Sequence, residues 1–228
     1  CVLLMPEKMQ ADKGALLLSF AAVTDSHVTQ TPSHSYNRQY KKVLDDVSEN
    51  FPGIRAFLNL GDLVNNGKEA EYRIFAKITD EYFRPLPKQY FLIGNHDMAL
   101  NQKDAEEQKA LFTQYTGMPD VFYSFTIGDY AFICLGSEGP EEGTSANAEI
   151  AYLSEEQLLW LEGELAAAEG ASGRRQPIFV FLHQPLAGTV TATDYPVIDQ
   201  NARLQEILAD YPQVIFFSGH THAPLGGS

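Results

Sequence analysis

The chain has 228 residues, of which 44% are hydrophobic, and 30 acidic against 16 basic side chains give it a formal charge of −14. This length is compatible with one large domain or two small ones, and the apolar content predicts a buried core and excludes a disordered chain. The acidic charge disfavours tight binding to long nucleic acid, whereas small anionic substrates stay compatible because bound cations dominate the field inside a site.

The two cysteines, Cys1 and Cys134, exclude a disulfide scaffold and a cysteine-built metal site. We predict that Cys134, inside an apolar run, is a free buried thiol. No apolar stretch is long enough to cross a bilayer. Because the chain starts at Cys1, we expect a processed N-terminus. A removed targeting segment and a lipid-anchored cysteine both stay open, as do a cytoplasmic and an exported location. We also expect a fragment of a longer protein, with one domain over residues 1–228 and its core over 14–222.

The first half of the chain alternates buried strands with amphipathic helices. Apolar runs predict strands at residues 16–23, 54–60 and 89–93. Helical spacing of apolar residues predicts helices at residues 36–48 and 68–83. This βαβαβ order is typical of a layered α/β fold, in which ligands bind beyond the carboxyl ends of the strands.

The second half continues in the same style. The pair Gly128-Asp129 predicts a hairpin between two strands, and Ser154 with Gln157 predicts a capping box at the start of a helix. The predicted strands are residues 121–127, 130–135, 178–182 and 214–217. The predicted helices are residues 101–115, 154–168 and 201–209.

Polar motifs follow the predicted strands at their carboxyl ends, and they contain five of the six histidines in the chain. Carboxylate, imidazole and amide oxygen together suit Mn, Fe, Zn or Co better than the all-oxygen shells of Ca or Mg. Each motif alone matches an ordinary surface turn, but the set in this order indicates a metal site. The motifs are Asp25-Ser26-His27, Gly61-Asp62, Gly94-Asn95-His96-Asp97, His183 and Gly219-His220-Thr221-His222.

The spacing of these residues suggests how they converge. In an extended segment, residues i and i+2 point to the same side, so Asp25 and His27 are expected to approach one ion together. His220 and His222 are expected to face neighbouring ions. The glycines at 61, 94 and 219 are expected to let the backbone turn sharply. Asp62 has two carboxylate oxygens, which is enough to bridge two cations.

The ordered motifs resemble those of the calcineurin-like metallophosphoesterases over residues 16–222, and residues 61–67 resemble its cyclic-nucleotide-phosphodiesterase-like branch. The resemblance implies an α/β fold, a four-layer α/β/β/α sandwich of two mixed sheets. It also implies two divalent or trivalent transition-metal ions (Mn, Fe or Zn). Family members usually continue beyond the last motif, so we expect the second sheet to be cut short there. Its edge would be exposed, or covered by a further segment or a partner.

The resemblance also implies a role for each site residue. Asp25, His27 and His222 would hold the first metal, and Asn95, His183 and His220 the second, with Asp62 shared. His96 would bind the phosphate and protonate the leaving oxygen, with Asp97 orienting it. A shared hydroxide between ions about 3.5–4 Å apart would attack phosphorus.

The expected substrate is a small phosphodiester or phosphomonoester. Asn65 stands where purple acid phosphatases carry a tyrosine ligand, so a purple iron centre is not expected. Two alternatives are a nuclease of the same fold, which the charge disfavours, and a non-catalytic binding module that retained the fold. For His34 we favour a solvated loop histidine over a substrate contact, and for the acidic loop around Glu138, Glu141 and Glu142 we expect a surface position.

Overall fold

Seven strands in two sheets are found in the computed structural model, which describes residues 16–82, 88–98, 104–139, 149–190, 193 and 195–223. The first sheet has the order β1-β2-β3 and all its described strands are parallel. The second has the order β4-β5-β6-β7, with β4 antiparallel to β5 and the other pairs parallel. The strands are β1 (Ala21–Val23), β2 (Phe57–Asn59), β3 (Gln89–Phe91), β4 (Tyr123–Ile127), β5 (Tyr130–Cys134), β6 (Ile178–Phe181) and β7 (Val214–Phe217).

The helices in the described ranges lie on the outer faces of the two sheets. They are α1 (Ser35–Asn50), α2 (Glu69–Glu81), α3 (Ala105–Thr116), α4 (Glu155–Ser172) and α5 (Asn201–Ala209). One apolar cluster joins α1, α2 and α3 to the first sheet, for example through Leu44, Phe75 and Phe57. A second joins α4 and α5 to the second sheet, for example through Leu161 and Val180.

A third apolar cluster lies between the sheets. Leu58 and Tyr90 of the first sheet meet Phe132 and Phe181 of the second. Neighbouring residues of one strand therefore serve different layers, since Phe57 faces the helices and Leu58 faces the other sheet. The result is the α/β/β/α sandwich that the resemblance implied, and the predicted fold class is confirmed.

The predicted elements are confirmed, with differences at their ends. The strand predicted at residues 16–23 pairs with β2 only from Ala21 onward, and Leu16 and Leu17 are 81% and 73% exposed. The predicted helix at 101–115 begins later, because Asp104 is the N-cap and accepts hydrogen bonds from the amides of Glu106 and Glu107. Residues 101–103 lie outside the described ranges.

The start of α4 differs from the predicted capping box. The Ser154 hydroxyl accepts from the Gln157 amide as expected, but the Ser154 amide donates to the carboxylate of Glu138. The Gln157 side chain instead donates to the Gly136 carbonyl and to Glu138. Glu138 therefore caps a helix and is not simply a surface residue of the loop. Glu141 and Glu142 lie outside the described residues.

Two further expectations can be compared with the structure. Cys134 is a free, fully buried thiol, and burial raises its pKa to about 12. Across the described ranges, no helix has both the length and the apolar character needed to span a bilayer. Cys1 and residues 224–228, on which the expectations about the two ends depend, are not among them.

The cluster between the sheets gives a stability prediction. Phe132 is fully buried and its ring contacts Phe20, Phe179 and Phe181. We expect Phe132→Ala to lower the free energy of unfolding by about 3–5 kcal/mol, because a cavity replaces these contacts. Denaturant unfolding followed by circular dichroism measures this change. Leu159→Ala, at a 56% exposed position of α4, should change stability by less than about 0.5 kcal/mol. Equal losses in both variants would contradict the packing described here.

Candidate metal centre

The predicted ligands converge at one edge of the sandwich, where β1, β2, β3, β6 and β7 end. Within each sheet these strands are parallel, so their carboxyl ends lie at one edge of that sheet. Hydrogen bonds from His183 to Leu60 and from His220 to Asp25 join the two edges. Three overlapping groups of side chains each bring their potential ligand atoms within 4.8 Å of one another. The groups are Asp25, His27 and His222; His27, Asp62 and His96; and Asp25, Asp62 and His183.

The residues predicted for the first metal lie in mutual contact. His222 Nε2 lies 3.0 Å from Asp25 Oδ1 and 3.2 Å from His27 Nε2. His27 Nε2 lies 3.8 Å from the same Asp25 oxygen. His27 is buried, whereas the His222 side chain is 59% exposed. This group therefore opens to solvent on its His222 side.

The residues predicted for the second metal form a neighbouring group around one amide oxygen. Asn95 Oδ1 lies 3.1 Å from His183 Nε2 and 3.0 Å from His220 Nδ1. Asn95 and His183 are buried. The other His183 nitrogen, Nδ1, lies 2.9 Å from the Leu60 carbonyl oxygen, which orients the ring so that Nε2 faces the cluster.

Asp62 lies between the two groups. Its Oδ2 is 3.2 Å from His183 Nε2 and 3.8 Å from His27 Nε2. Its Oδ1 accepts a hydrogen bond of 2.8 Å from the His96 backbone amide. One carboxylate thus reaches a predicted ligand of each metal, which is the position that a bridging residue requires.

The backbone at the ligands is left-handed, a conformation that non-glycine residues rarely adopt. Every described non-glycine residue with positive φ is a predicted ligand: Asp25, His27, Asp62, His220 and His222, with φ between 45° and 70°. Such strain persists where the surrounding structure holds it, and it concentrates at functional sites. Asp25 and His27 therefore converge through left-handed turns, and the extended geometry expected from their spacing is wrong.

The glycines act in two different ways. Gly61 has φ 106°, so the expected sharp turn is confirmed there. Gly94 does not have positive φ and is needed for close approach, because a Cβ at this position would collide with the backbone amide and Oδ1 of Asp62. The loops that carry Asp62 and Asn95 can come together only because this side chain is missing.

Asp97 holds these same loops together. Its buried carboxylate accepts hydrogen bonds from the backbone amides of Gly94, Leu63 and Val64, at 2.8 to 3.1 Å. Burial, and then the charge of Asp62, raise the pKa of Asp97 to about 7, and the three amide donors oppose this change. These oxygens meet backbone amides, so an orienting effect of Asp97 on His96 would pass through the backbone of the loop that carries both residues.

The His96 ring is held by a different group. Its Nδ1 lies 2.7 Å from the backbone carbonyl oxygen of Asn65, and its ring lies edge-on to His27 with centroids 4.6 Å apart. With Nδ1 engaged by a carbonyl, Nε2 is the nitrogen left to meet a ligand. The sequence draws attention to the side chain of Asn65, but its backbone oxygen makes this contact.

The carboxylates of the cluster are paired with imidazoles. Among the described ion pairs, the partners of Asp25 and Asp62 are all histidines. Burial disfavours the charged form of Asp62, but His183 and His96 hold the pKa of Asp62 well below its usual range. Burial alone would lower the pKa of His183, but Asp62 and Asp25 raise it to about 9.

The pKa values of two other histidines are lowered. Burial lowers the pKa of His27, and burial together with the charge of His183 lowers the pKa of His220 to about 4. Neutral imidazoles beside ionised carboxylates and an amide oxygen are the donor set that Mn, Fe or Zn accepts. The residues therefore fit a metal centre built from nitrogen and oxygen ligands.

One residue near the ligands was not identified from the sequence. Glu149 Oε2 accepts from Asn95 Nδ2 at 3.3 Å and lies 4.0 Å from His220 Nε2. Nothing in the sequence near Glu149 marks it as part of the site. His34, for which a solvated loop position is favoured, lies just before α1 as its N-cap, where its Nδ1 accepts an exposed hydrogen bond from the Tyr36 amide.

The chain is similar to phosphoesterases in sequence and in structure. A protein-family model described as calcineurin-like phosphoesterase matches residues 18–224. A probable glycerophosphodiester phosphodiesterase GpdQ of Arcobacter nitrofigilis is 27% identical over 211 residues, covering 88% of this chain and 70% of that protein. Purple acid phosphatase PPD1 from yellow lupin (Lupinus luteus) seeds has a similar structure, with a TM-score of 0.61 and 18% identity. That match covers 89% of this chain, which spans only 37% of the lupin protein.

The close approach at Gly94 gives a prediction for metal binding. We expect Gly94→Ala to lower stability by about 1–3 kcal/mol and to weaken metal binding, because the added methyl group pushes Asp62 away. Isothermal titration with Mn²⁺ and thermal unfolding measure the two effects. Gly163→Ala is the matched control, since it lies in α4 with nothing near its Cβ position, and it should be neutral or stabilising by up to about 1 kcal/mol. Unchanged metal affinity in Gly94→Ala would contradict this account.

Proposed function

Because the chain belongs to the calcineurin-like phosphoesterase family, we propose that it hydrolyses a small phosphodiester at a centre of two transition-metal ions. The observation that carries the proposal is the meeting of carboxylate, imidazole and amide ligands at one edge of the sandwich, around the shared carboxylate of Asp62. The similarity to a protein named as a glycerophosphodiester phosphodiesterase supports a diester over a monoester.

The assignment of ligands follows the two groups of contacts. Asp25, His27 and His222 would hold one metal ion, and Asn95, His183 and His220 the other. Asp62 would be shared by both. Mn, Fe and Zn all suit this donor set. Ions bound there would lower the pKa of a water molecule to give a nucleophile near neutral pH and would neutralise charge on the phosphoryl oxygens.

The protein contributes positioning and a proton donor. His96 lies beside His27 and Asp62, and the Asn65 carbonyl fixes its ring through Nδ1. In its protonated form, His96 would donate a proton from Nε2 to the leaving alkoxide, which is the step that a poor leaving group needs. Asp97 would act indirectly, since its carboxylate holds the loops that carry Asp62 and Asn95.

The acidic charge and the burial of the site favour a small substrate. With 30 acidic against 16 basic residues, the surface repels a polyphosphate chain, so a nuclease is the weaker alternative. A non-catalytic binding module is also weaker, because the predicted ligands and His96 are all retained and lie together. The site opens at His222, which leaves a route for a small ester.

The direct test is a substrate panel. The protein is stripped of metal, reloaded separately with Mn, Fe or Zn, and assayed with aryl phosphodiesters, aryl phosphomonoesters, glycerophosphodiesters and 3′,5′-cyclic nucleotides. We expect turnover that requires metal and is faster for diesters than for monoesters. Oligonucleotides serve as a control for the nuclease alternative. Metal-loaded protein that turns over none of the small esters would refute the proposal.

Two substitutions separate metal binding from proton donation. We expect Asp62→Ala to lose both metal ions, because it removes the shared ligand. We expect His96→Ala to keep both ions and to lose about 100- to 10,000-fold in kcat, the usual range for a general acid. Elemental analysis and steady-state kinetics on both variants provide the measurements. Full metal occupancy in Asp62→Ala would contradict the bridging role, and loss of metal in His96→Ala would make His96 a ligand.

A further inference from the structure

Glu149 lies at the rim of the site, where its carboxylate meets the side chain of Asn95. We propose that Glu149 is a positioning residue, which holds the Asn95 carboxamide with its oxygen toward the metal ions. This inference rests on the proposed two-metal centre and adds a residue to it. Glu149 Oε2 accepts a hydrogen bond of 3.3 Å from Asn95 Nδ2.

An asparagine ligand needs such a partner because its side chain has two chemically different ends of similar shape. The oxygen can bind a cation, but the amide nitrogen is a donor and cannot. His183 Nε2 and His220 Nδ1 face the Asn95 oxygen at 3.1 and 3.0 Å. If these nitrogens are unprotonated, as metal binding requires, they would accept hydrogen bonds from the amide nitrogen just as well. Without an acceptor on the opposite side, the two orientations of the Asn95 carboxamide would therefore be similar in energy.

Glu149 supplies that acceptor on the opposite side. A carboxylate has no hydrogen to donate, so it pairs with the Asn95 nitrogen and disfavours the reversed orientation. The same Glu149 oxygen lies 4.0 Å from His220 Nε2, the ring nitrogen that does not face Asn95. One carboxylate therefore borders two of the ligands proposed for the second metal.

The backbone that follows Glu149 is anchored. Two residues later, Ala151 forms a parallel bridge with Ile198, and its amide donates to the Val197 carbonyl at 2.9 Å. The Glu149 side chain itself is 52% exposed. An exposed side chain contributes little to the core, so we expect substitutions at 149 to leave the fold intact and to act on the metal site.

The first test compares two substitutions at this position. Glu149→Gln keeps an oxygen that accepts from Asn95 Nδ2, whereas Glu149→Ala removes it. When the metal-free 228-residue chain is titrated with Mn²⁺ in a calorimeter, we expect Glu149→Ala to weaken the second binding event by about 10- to 100-fold, the usual effect of losing an outer-shell partner. Glu149→Gln should stay within a few-fold of wild type. Glu206→Ala, which removes an exposed carboxylate of α5, controls for the change in charge.

A second substitution shows whether the effect passes through Asn95. Aspartate at 95 presents an oxygen in either orientation, so it needs no partner to orient it. We therefore expect Glu149→Ala to cost nothing in an Asn95→Asp background, and the double-mutant cycle to show strong coupling between the two positions. Equal losses in Glu149→Gln and Glu149→Ala would overturn the proposal and favour direct ligation by Glu149. So would a loss from Glu149→Ala that persists in Asn95→Asp.

These binding measurements do not depend on catalysis. Wild-type Mn²⁺ affinity in Glu149→Ala would overturn the positioning role, whatever the esterase activity. Conversely, a wild-type chain that binds two ions but hydrolyses no ester refutes the proposed function and leaves the role of Glu149 to be decided by the titrations.

Discussion

The hydrogen bonds to the Asp97 carboxylate are the constraint on which the site depends. This one side chain accepts hydrogen bonds from the backbone amides of Gly94, Leu63 and Val64. It therefore joins the loop after β2 to the loop after β3. The bare Cα of Gly94 lets the joined loops approach to contact distance. These contacts position Asp62 and Asn95. The Asp62 carboxylate in turn accepts a hydrogen bond from the His96 backbone amide. The site residues that follow β2 and β3 are thus placed as one unit.

Three hydrogen bonds position the histidines of the second sheet. His183 bonds the Leu60 carbonyl through Nδ1, and the Gly219 amide donates to the His183 carbonyl. The His220 amide donates to Asp25 Oδ2 at 3.2 Å. Each link joins the end of a strand to a ligand on another strand. The aromatic cluster between the sheets fixes their separation, so the geometry of the site is coupled to the packing of Phe132 and its neighbours.

The sequence predicted what local patterns determine. Alternating apolar runs located the strands and helices, and Asp62, Asn95 and His183 were found because each stands just after such a run. Contacts between residues that are distant in sequence could not be predicted from local patterns. The family resemblance implies that Asp97 orients His96, yet the partners of its carboxylate include Leu63 and Val64, more than 30 residues away in sequence. Asn65 contributes a backbone oxygen, and Glu149 comes from a region without a motif, so neither leaves a signal in the residue pattern.

The left-handed backbone at Asp25, His27, Asp62, His220 and His222 has a consequence for how this protein can change. A non-glycine residue in that conformation costs about 1–2 kcal/mol relative to an ordinary one. Selection for thermal stability alone should therefore favour glycine at these positions, since glycine relieves the strain, although each such change would remove a ligand. At these positions stability therefore favours glycine, whereas function requires the ligand side chain. A screen for stability alone would therefore select substitutions that remove the ligands of the site.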